Sequence, residues 1–130
     1  MTETKELITI EQNGSVGSIT ITIATGSICK ISFQSVVYEA TDLFCALMLL
    51  RAKLEESHRL IACNGARRDV FPSGMAREMS CGRKAYILKP GVRPKREDLI
   101  DIFDRADADV IASVNEQKIY FERWVKSFGV

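Results

Sequence analysis

The sequence predicts an α+β fold: one domain over residues 1–130, with a mostly antiparallel sheet packed by two amphipathic helices. Three observations lead there. Alternating apolar and polar residues fill the first third, around an Asn13-Gly14 dipeptide that suits a tight hairpin. Helical periodicity then appears twice, behind Thr41 and behind Ser113. The length of 130 residues matches one domain at roughly 100–200 residues apiece.

Taken in order, Glu6 to Gln12 reads as a strand, with Ile8 and Ile10 alternating with Leu7, Thr9 and Glu11. The return strand, Ser18 to Ala24, sets Ile19, Ile21 and Ile23 on one face and threonines on the other, the mark of a half-buried antiparallel strand. After the turn Thr25-Gly26-Ser27, a third strand points Cys29, Ile31 and Phe33 inward and Lys30, Ser32 and Gln34 outward. This is a three-stranded meander with one wet face. From Thr41 the period changes. Leu43, Phe44, Leu47, Met48, Leu50 and Leu54 form a helical stripe, with Thr41 as its cap, Asp42 in the first turn, and Arg51, Lys53, Glu55 and Glu56 solubilising its end.

Arg59 to Asn64 is a short apolar run and predicts a buried fourth strand. Residues 66–82 have no sustained period and are broken by Pro72-Ser73-Gly74. They predict a loop of about 18 residues, well beyond the usual 4–6 and of the length that carries function or moves. Lys84 to Lys89 is a strand, Pro90 to Pro94 a turn with a basic tip, and Leu99 to Asp104 a strand paired back on Lys84–Lys89, with a short helix as the alternative. Ser113-Val114-Asn115-Glu116 is a capping box. The helix it opens runs to about Ser127, with Phe121, Trp124, Val125 and Phe128 as its buried stripe.

Composition narrows the function classes. The chain is 46% hydrophobic and 27% charged, as in ordinary soluble domains, which excludes a disordered tail, a collagen and a coiled coil. The longest apolar run, Leu43 to Leu50, falls far short of the roughly 18 residues of a membrane span. The polar start Met1 to Glu6 has no apolar region behind it, so no secretory signal and a cytoplasmic location are expected. Cys29, Cys45, Cys63 and Cys81 lie 16, 18 and 18 residues apart. That is too wide for a zinc knuckle or a redox dithiol, and their apolar neighbours predict four reduced thiols. His58, the one histidine, reads as a helix-terminal surface residue. No Walker loop, Gly-x-Gly-x-x-Gly or His-Glu-x-x-His is present. Neither cofactor nor metal is expected, and no catalytic residue is assigned.

Charge is unevenly placed. The formal net charge is +1, yet residues 67–96 carry nine basic side chains against Asp69 and Glu78. Residues 97–116 carry seven acids against Arg105. Adjacent blocks of opposite sign either neutralise each other across the fold, at little gain per exposed pair, or present two signed faces to partners.

Three segments resemble a known group. They are Ala66-Arg67-Arg68-Asp69-Val70-Phe71-Pro72-Ser73-Gly74-Met75, then Leu99-Ile100-Asp101-Ile102-Phe103-Asp104, and Val114-Asn115-Glu116-Gln117 with Phe121-Glu122-Arg123-Trp124. Over about 60–127 they resemble small bacterial proteins coded beside polymorphic toxins, the immunity proteins of contact-dependent inhibition and Rhs-type systems. The resemblance implies a cytosolic binder that neutralises one cognate toxin domain by protein–protein contact. The group shares no catalytic motif. One departure is charge: inhibitors of nucleases are commonly acidic overall. If the toxin works on nucleic acid through a basic cleft, carboxylates must sit where phosphates would. Asp98, Asp101, Asp104, Asp107 and Asp109 are the dense acidic cluster, with Phe103 as the aromatic anchor. Arg67, Arg68, Arg77 and Arg83 form a possible second face. The internal alternative pairs these acids with Arg67, Arg68, Arg93 and Arg96. Two other functions compete: a small nucleic-acid-binding regulator using 67–96, and a small enzyme using the 67–82 loop. Few aromatics interleave the basic block, and the acidic block beside it cancels its field, so nucleic acid is the less favoured partner.

Overall fold

Nine residues on each side of the Asn13-Gly14 turn pair in antiparallel register, Thr2–Ile10 (β1) with Val16–Ala24 (β2), from Thr2↔Ala24 to Ile10↔Val16. The structure is a computed structural model that describes residues 2–74, 77 and 80–129. The turn is closed by Gly14 N–H to Glu11 O and Glu11 N–H to Ser15 O, both 2.8 Å. Gly14 alone takes positive φ, at 84°, so a glycine bulge ends the turn in place of two left-handed residues. The β2 isoleucines are buried as expected. In β1 the core face takes Leu7 and Thr9, while Ile8 and Ile10 are half-buried on the other side. Thr9 is tolerated there because its hydroxyl donates to Glu11, which Arg59 also holds, at 3.0 Å.

Cys29–Phe33 (β3) pairs with β2, and the meander has one strand more than the sequence suggested: Val36–Ala40 (β4) folds back on β3 from Phe33↔Val36 to Cys29↔Ala40. Their two-residue turn is Gln34-Ser35, both left-handed at φ 50° and 66°. The helix Leu43–Glu55 (α1) follows, and its cap is Asp42, not Thr41: Asp42 Oδ1 accepts from Cys45 N at 2.8 Å. Leu60–Ile61 (β5) pairs with β1, giving the order β4-β3-β2-β1-β5. α1 packs on this sheet with Leu43, Phe44, Ala46, Leu47, Leu50 and Leu54 buried. Each such large apolar side chain contributes roughly 1.5–3 kcal/mol.

A second sheet, in the order β6-β7-β8, is made of Val70–Phe71, Lys84–Ile87 and Leu99–Asp101. β7 and β8 pair as expected, Lys84↔Asp101 to Tyr86↔Leu99, but the strand stops at Asp101 and Ile102 and Phe103 turn into the core. The long loop expected over 66–82 is not a plain loop. It follows a 3-10 turn at Asn64–Ala66, contains β6, and has helical backbone at Gly74, Arg77 and Ser80; residues 75, 76, 78 and 79 lie outside the described ones.

The last helix, Val114–Lys126 (α2), starts at the predicted capping box: Ser113 Oγ accepts from Glu116 N at 3.1 Å, and Glu116 Oε1 from Ser113 N at 2.9 Å. Its predicted buried stripe is a correction. Phe121, Trp124 and Phe128 are half-buried, Val125 is exposed, and the buried residue of this helix is Gln117. Arg51 also departs from expectation. It is 2% exposed, inside the core rather than at a soluble end. Its guanidinium donates to Gln117 Oε1 (2.6 Å), Gly65 O (3.1 Å) and Ala112 O (3.0 Å). Gln117 Nε2 in turn donates to the carbonyls of Gly65, Arg67 and Val70 at 2.9–3.0 Å. Gly65 is required at this junction: a Cβ there would stand 2.6 Å from Leu47 Cδ2 and 3.0 Å from Ile102 Cβ. No helix among the described residues is long and apolar enough to cross a membrane.

Ser113→Ala should lower stability by about 1 kcal/mol in denaturant titration. The Glu116 carboxyl is held below its ordinary 4.5 chiefly by the Ser113 backbone N–H. A depressed carboxylate stabilises the fold above its unfolded value and loses that effect as pH falls through the folded one. Glu116→Gln should therefore flatten the acid limb of the stability curve, and an unchanged limb would contradict the capping role.

Candidate functional site

The acidic segment leaves β8 and runs back beside residues 62–68. Asn64 N–H bonds to Asp104 O (2.8 Å), Ala106 N–H to Ala62 O (3.1 Å), Arg68 N–H to Val110 O (3.0 Å) and Ala112 N–H to Ala66 O (3.0 Å). This ladder fixes the backbone and sorts the predicted residues into two groups. Asp98 is half-buried and caps the turn Arg96–Asp98 by accepting from Lys95 N at 2.9 Å. Asp101 accepts from Arg83 Nε (3.0 Å) and from Phe103 N (2.9 Å), so it holds the end of β8. Phe103 is 1% exposed under the Arg83 guanidinium. A side chain in the core does not anchor an interface, and its assignment to the partner face is corrected. Asp104, Asp107 and Asp109 are exposed. Asp104 stands 3.8 Å from Lys5 Nζ, while Asp107 and Asp109 form no ion pair among the described residues.

The four predicted arginines are not one face. Arg67 makes a two-point contact with Asp69 (2.9 and 3.0 Å). Its pKa is raised chiefly by that contact, with Asp107 and Asp109 adding smaller through-space attraction. Arg77 binds the buried Asp42 carboxylate and lies 3.1 Å from Cys45 Sγ, fastening its segment to the start of α1. Arg83 joins Glu3 (2.7 Å) to Asp101, and its pKa is raised, chiefly by the hydrogen bond to Glu3. Arg68 is exposed and forms no ion pair among the described residues. Arg83–Asp101 is thus the one ion pair that joins the basic and acidic blocks among the described residues. Of the other proposed internal partners, Arg93 lies over the Phe128 ring at 5.8 Å and Arg96 is exposed.

Sequence reasoning missed an aromatic ridge. Phe44, fully buried, meets Phe71 edge-on at 5.1 Å; Phe71 stacks on Phe121 at 4.1 Å; Trp124 follows at 6.0 Å and Phe128 at 5.0 Å. The ridge climbs from the core to the surface along α2. The 88–92 turn supports it: Tyr120 Oη donates to Leu88 O (2.7 Å), Trp124 Nε1 to Val92 O (3.3 Å), and Gly91 N to Ser127 Oγ (2.7 Å). Val92, Ile119 and Val125, on the turn and on α2, stay exposed. The spacing of Phe121, Trp124 and Phe128 is also that of a buried stripe, so the sequence carried no signal that a covering layer is missing.

Shallow surface concavities border some of the predicted site residues: Phe103 and Asp104 line one with Lys5 and Ala62, Arg83 lines a second with Glu3, and Arg68 a third with Ile119 and Tyr120. Another depression is lined by Glu11, Gln12, Asn13, Ser15, Ser57 and Arg59, and none of the predicted site residues borders it. Among the described residues no three His, Cys, Asp or Glu side chains come together as a metal site. The four cysteines are free, Cys29 and Cys63 buried, Cys45 and Cys81 half-buried. Burial pushes the Cys63 thiol up to about 11. A thiol reagent should therefore label native protein in two phases, Cys45 and Cys81 fast and Cys29 and Cys63 only on unfolding; uniform kinetics for all four would contradict the packing.

No protein-family model matches this chain, and no curated protein matches it significantly.

Proposed function

We propose that this chain is a cytoplasmic protein-binding domain of the immunity type, which neutralises a cognate toxin domain by direct contact. One observation carries the reading: the two charge blocks are joined by a single ion pair among the described residues, which leaves Asp104, Asp107 and Asp109 directed to solvent. Carboxylates that only balanced the neighbouring arginines would be spent inside the fold. Exposed on a backbone pinned at both sides, they form a preset negative edge of the kind that steers a basic partner and fixes its orientation. The apolar part of the contact falls to the α2 ridge in place of Phe103. Trp and Phe side chains held half-open are the residue types that anchor interface centres.

The test uses a toxin domain coded beside this chain, the arrangement that the resemblance implies. Replacing Asp107 and Asp109 together with Lys should leave the unfolding temperature within about 2 °C, since exposed unpaired charges add little stability. Association with that toxin should slow at least about tenfold and lose much of its salt dependence. A fall in unfolding temperature with neutralisation intact would assign these acids to the fold. Binding to unrelated RNA or DNA at physiological salt would move the function to nucleic acid.

A further inference from the structure

The two edges of the five-stranded sheet differ. Beyond β5 the chain is closed over, since Ala62 N–H bonds to Ile8 O and Ala62 O accepts from Ala106 N. β4 is the other edge, and among the described residues no strand pairs with its outer side. Its turn, Gln34-Ser35, joins the partnered residues Phe33 and Val36 with two left-handed residues. In such a hairpin the closing pair exchanges both backbone bonds, and the alternation along the ladder then fixes the rest. Val36, Tyr38 and Ala40 bond inward to β3. The N–H and C=O groups of Val37 and Glu39 point away from the sheet.

Edges left like this are normally blunted by Lys, Pro or a bulge. β4 reads Val-Val-Tyr-Glu-Ala with no bulge in its register, and Val36 and Val37 are each 49% exposed. Its single charge, Glu39, is already offset by Lys30 at 3.8 Å on the neighbouring strand.

We propose that β4 pairs antiparallel with β4 of a second copy of this chain, joining two five-stranded sheets into one of ten about a two-fold axis at Tyr38. The register follows from self-complementarity. Centring on Tyr38 uses all five residues and sets Val37 opposite Glu39 of the partner subunit, and the reverse. Those are the two positions whose backbone groups are free, so each pair exchanges two hydrogen bonds. Tyr38 faces its own copy in the closer, non-bonded pairing, where aromatic rings meet well. No like charges stand opposite each other. The contact is short, so the association is of moderate strength. It leaves the acidic edge and the α2 ridge outside the interface and does not depend on the proposed function.

Sedimentation over roughly 1–100 µM protein tests it, a range that brackets moderate affinity. The wild-type chain should show a monomer–dimer equilibrium. Val37→Glu sets two carboxylates opposite Glu39 at both ends of the contact and should weaken dimerisation at least about tenfold. Val37→Lys sets an opposite charge there and should dimerise as well as wild type or better. Val37→Pro removes an outward N–H without touching the ladder to β3, and gives a second route to the monomer. A wild type that stays monomeric throughout, or Glu and Lys variants that behave alike, would overturn the proposal.

Discussion

Arg51 carries a positive charge into the core and makes no ion pair there among the described residues. An unpaired ion in an apolar interior is costly by any measure. Here the cost is offset by charge-assisted hydrogen bonds to two backbone carbonyls and to the Gln117 amide oxygen. Gln117 then shares the Gly65 carbonyl with Arg51 and turns its amide N–H groups to two further carbonyls, those of Arg67 and Val70. The acceptors belong to three segments, the turn after β5, the strand β6 and the chain entering α2, the first and last of which are also joined by backbone bonds. Removing Arg51 strips the Ala112 carbonyl and the Gln117 amide oxygen of their donor, and removing Gln117 takes one of three acceptors from a buried charge. Burial lowers the pKa of Arg51, and weaker attraction from Glu55 opposes that shift.

The placement of the outer surfaces follows from that junction. The backbone bonds that seat the acidic segment run to Ala62, Asn64, Ala66 and Arg68, the same stretch whose carbonyls Arg51 and Gln117 gather. The acids at 104–109 therefore project from a fixed edge, not from a free loop. α2 is anchored at its first half by Gln117 and the capping box, while its second half rests on aromatic stacking and on the 88–92 turn. Strong polar seating at one end and an incompletely covered aromatic ridge at the other make α2 part scaffold and part surface.

Much of the fold was legible because local chemistry agreed with tertiary structure. The Asn13-Gly14 hairpin, the isoleucine face of β2, the pairing of β7 with β8 and the Ser113 capping box all carry their reasons within a few residues. β4 was missed because its two left-handed turn residues are Gln and Ser, which lack the glycine or asparagine that advertises such a turn. Arg51 and Gln117 each occupy a core position of an otherwise apolar helical stripe, Arg51 four residues after Leu47 and three before Leu54. A charge on a stripe reads first as a boundary, and only the distant carbonyls make it a core residue. Phe103 was misassigned for the converse reason. Its acidic neighbours suggested a surface, but the chain turns at Asp101 and drives the ring inward. At the candidate site, the exposed acids were legible as a cluster, whereas which of them stay free depended on ion pairs that form across the fold.

A double-mutant cycle on the buried junction tests the account most directly. Arg51→Met and Gln117→Leu, alone and together, would be compared by denaturant unfolding. Each single variant should lose on the order of 3–5 kcal/mol, the cost of a buried polar or charged group stripped of its partner. The double variant should lose less than the two losses combined, by on the order of 1–3 kcal/mol, because the second substitution removes a group the first had left unpaired. Strict additivity, or single variants as stable as the parent, would contradict the claim that this contact holds the domain together.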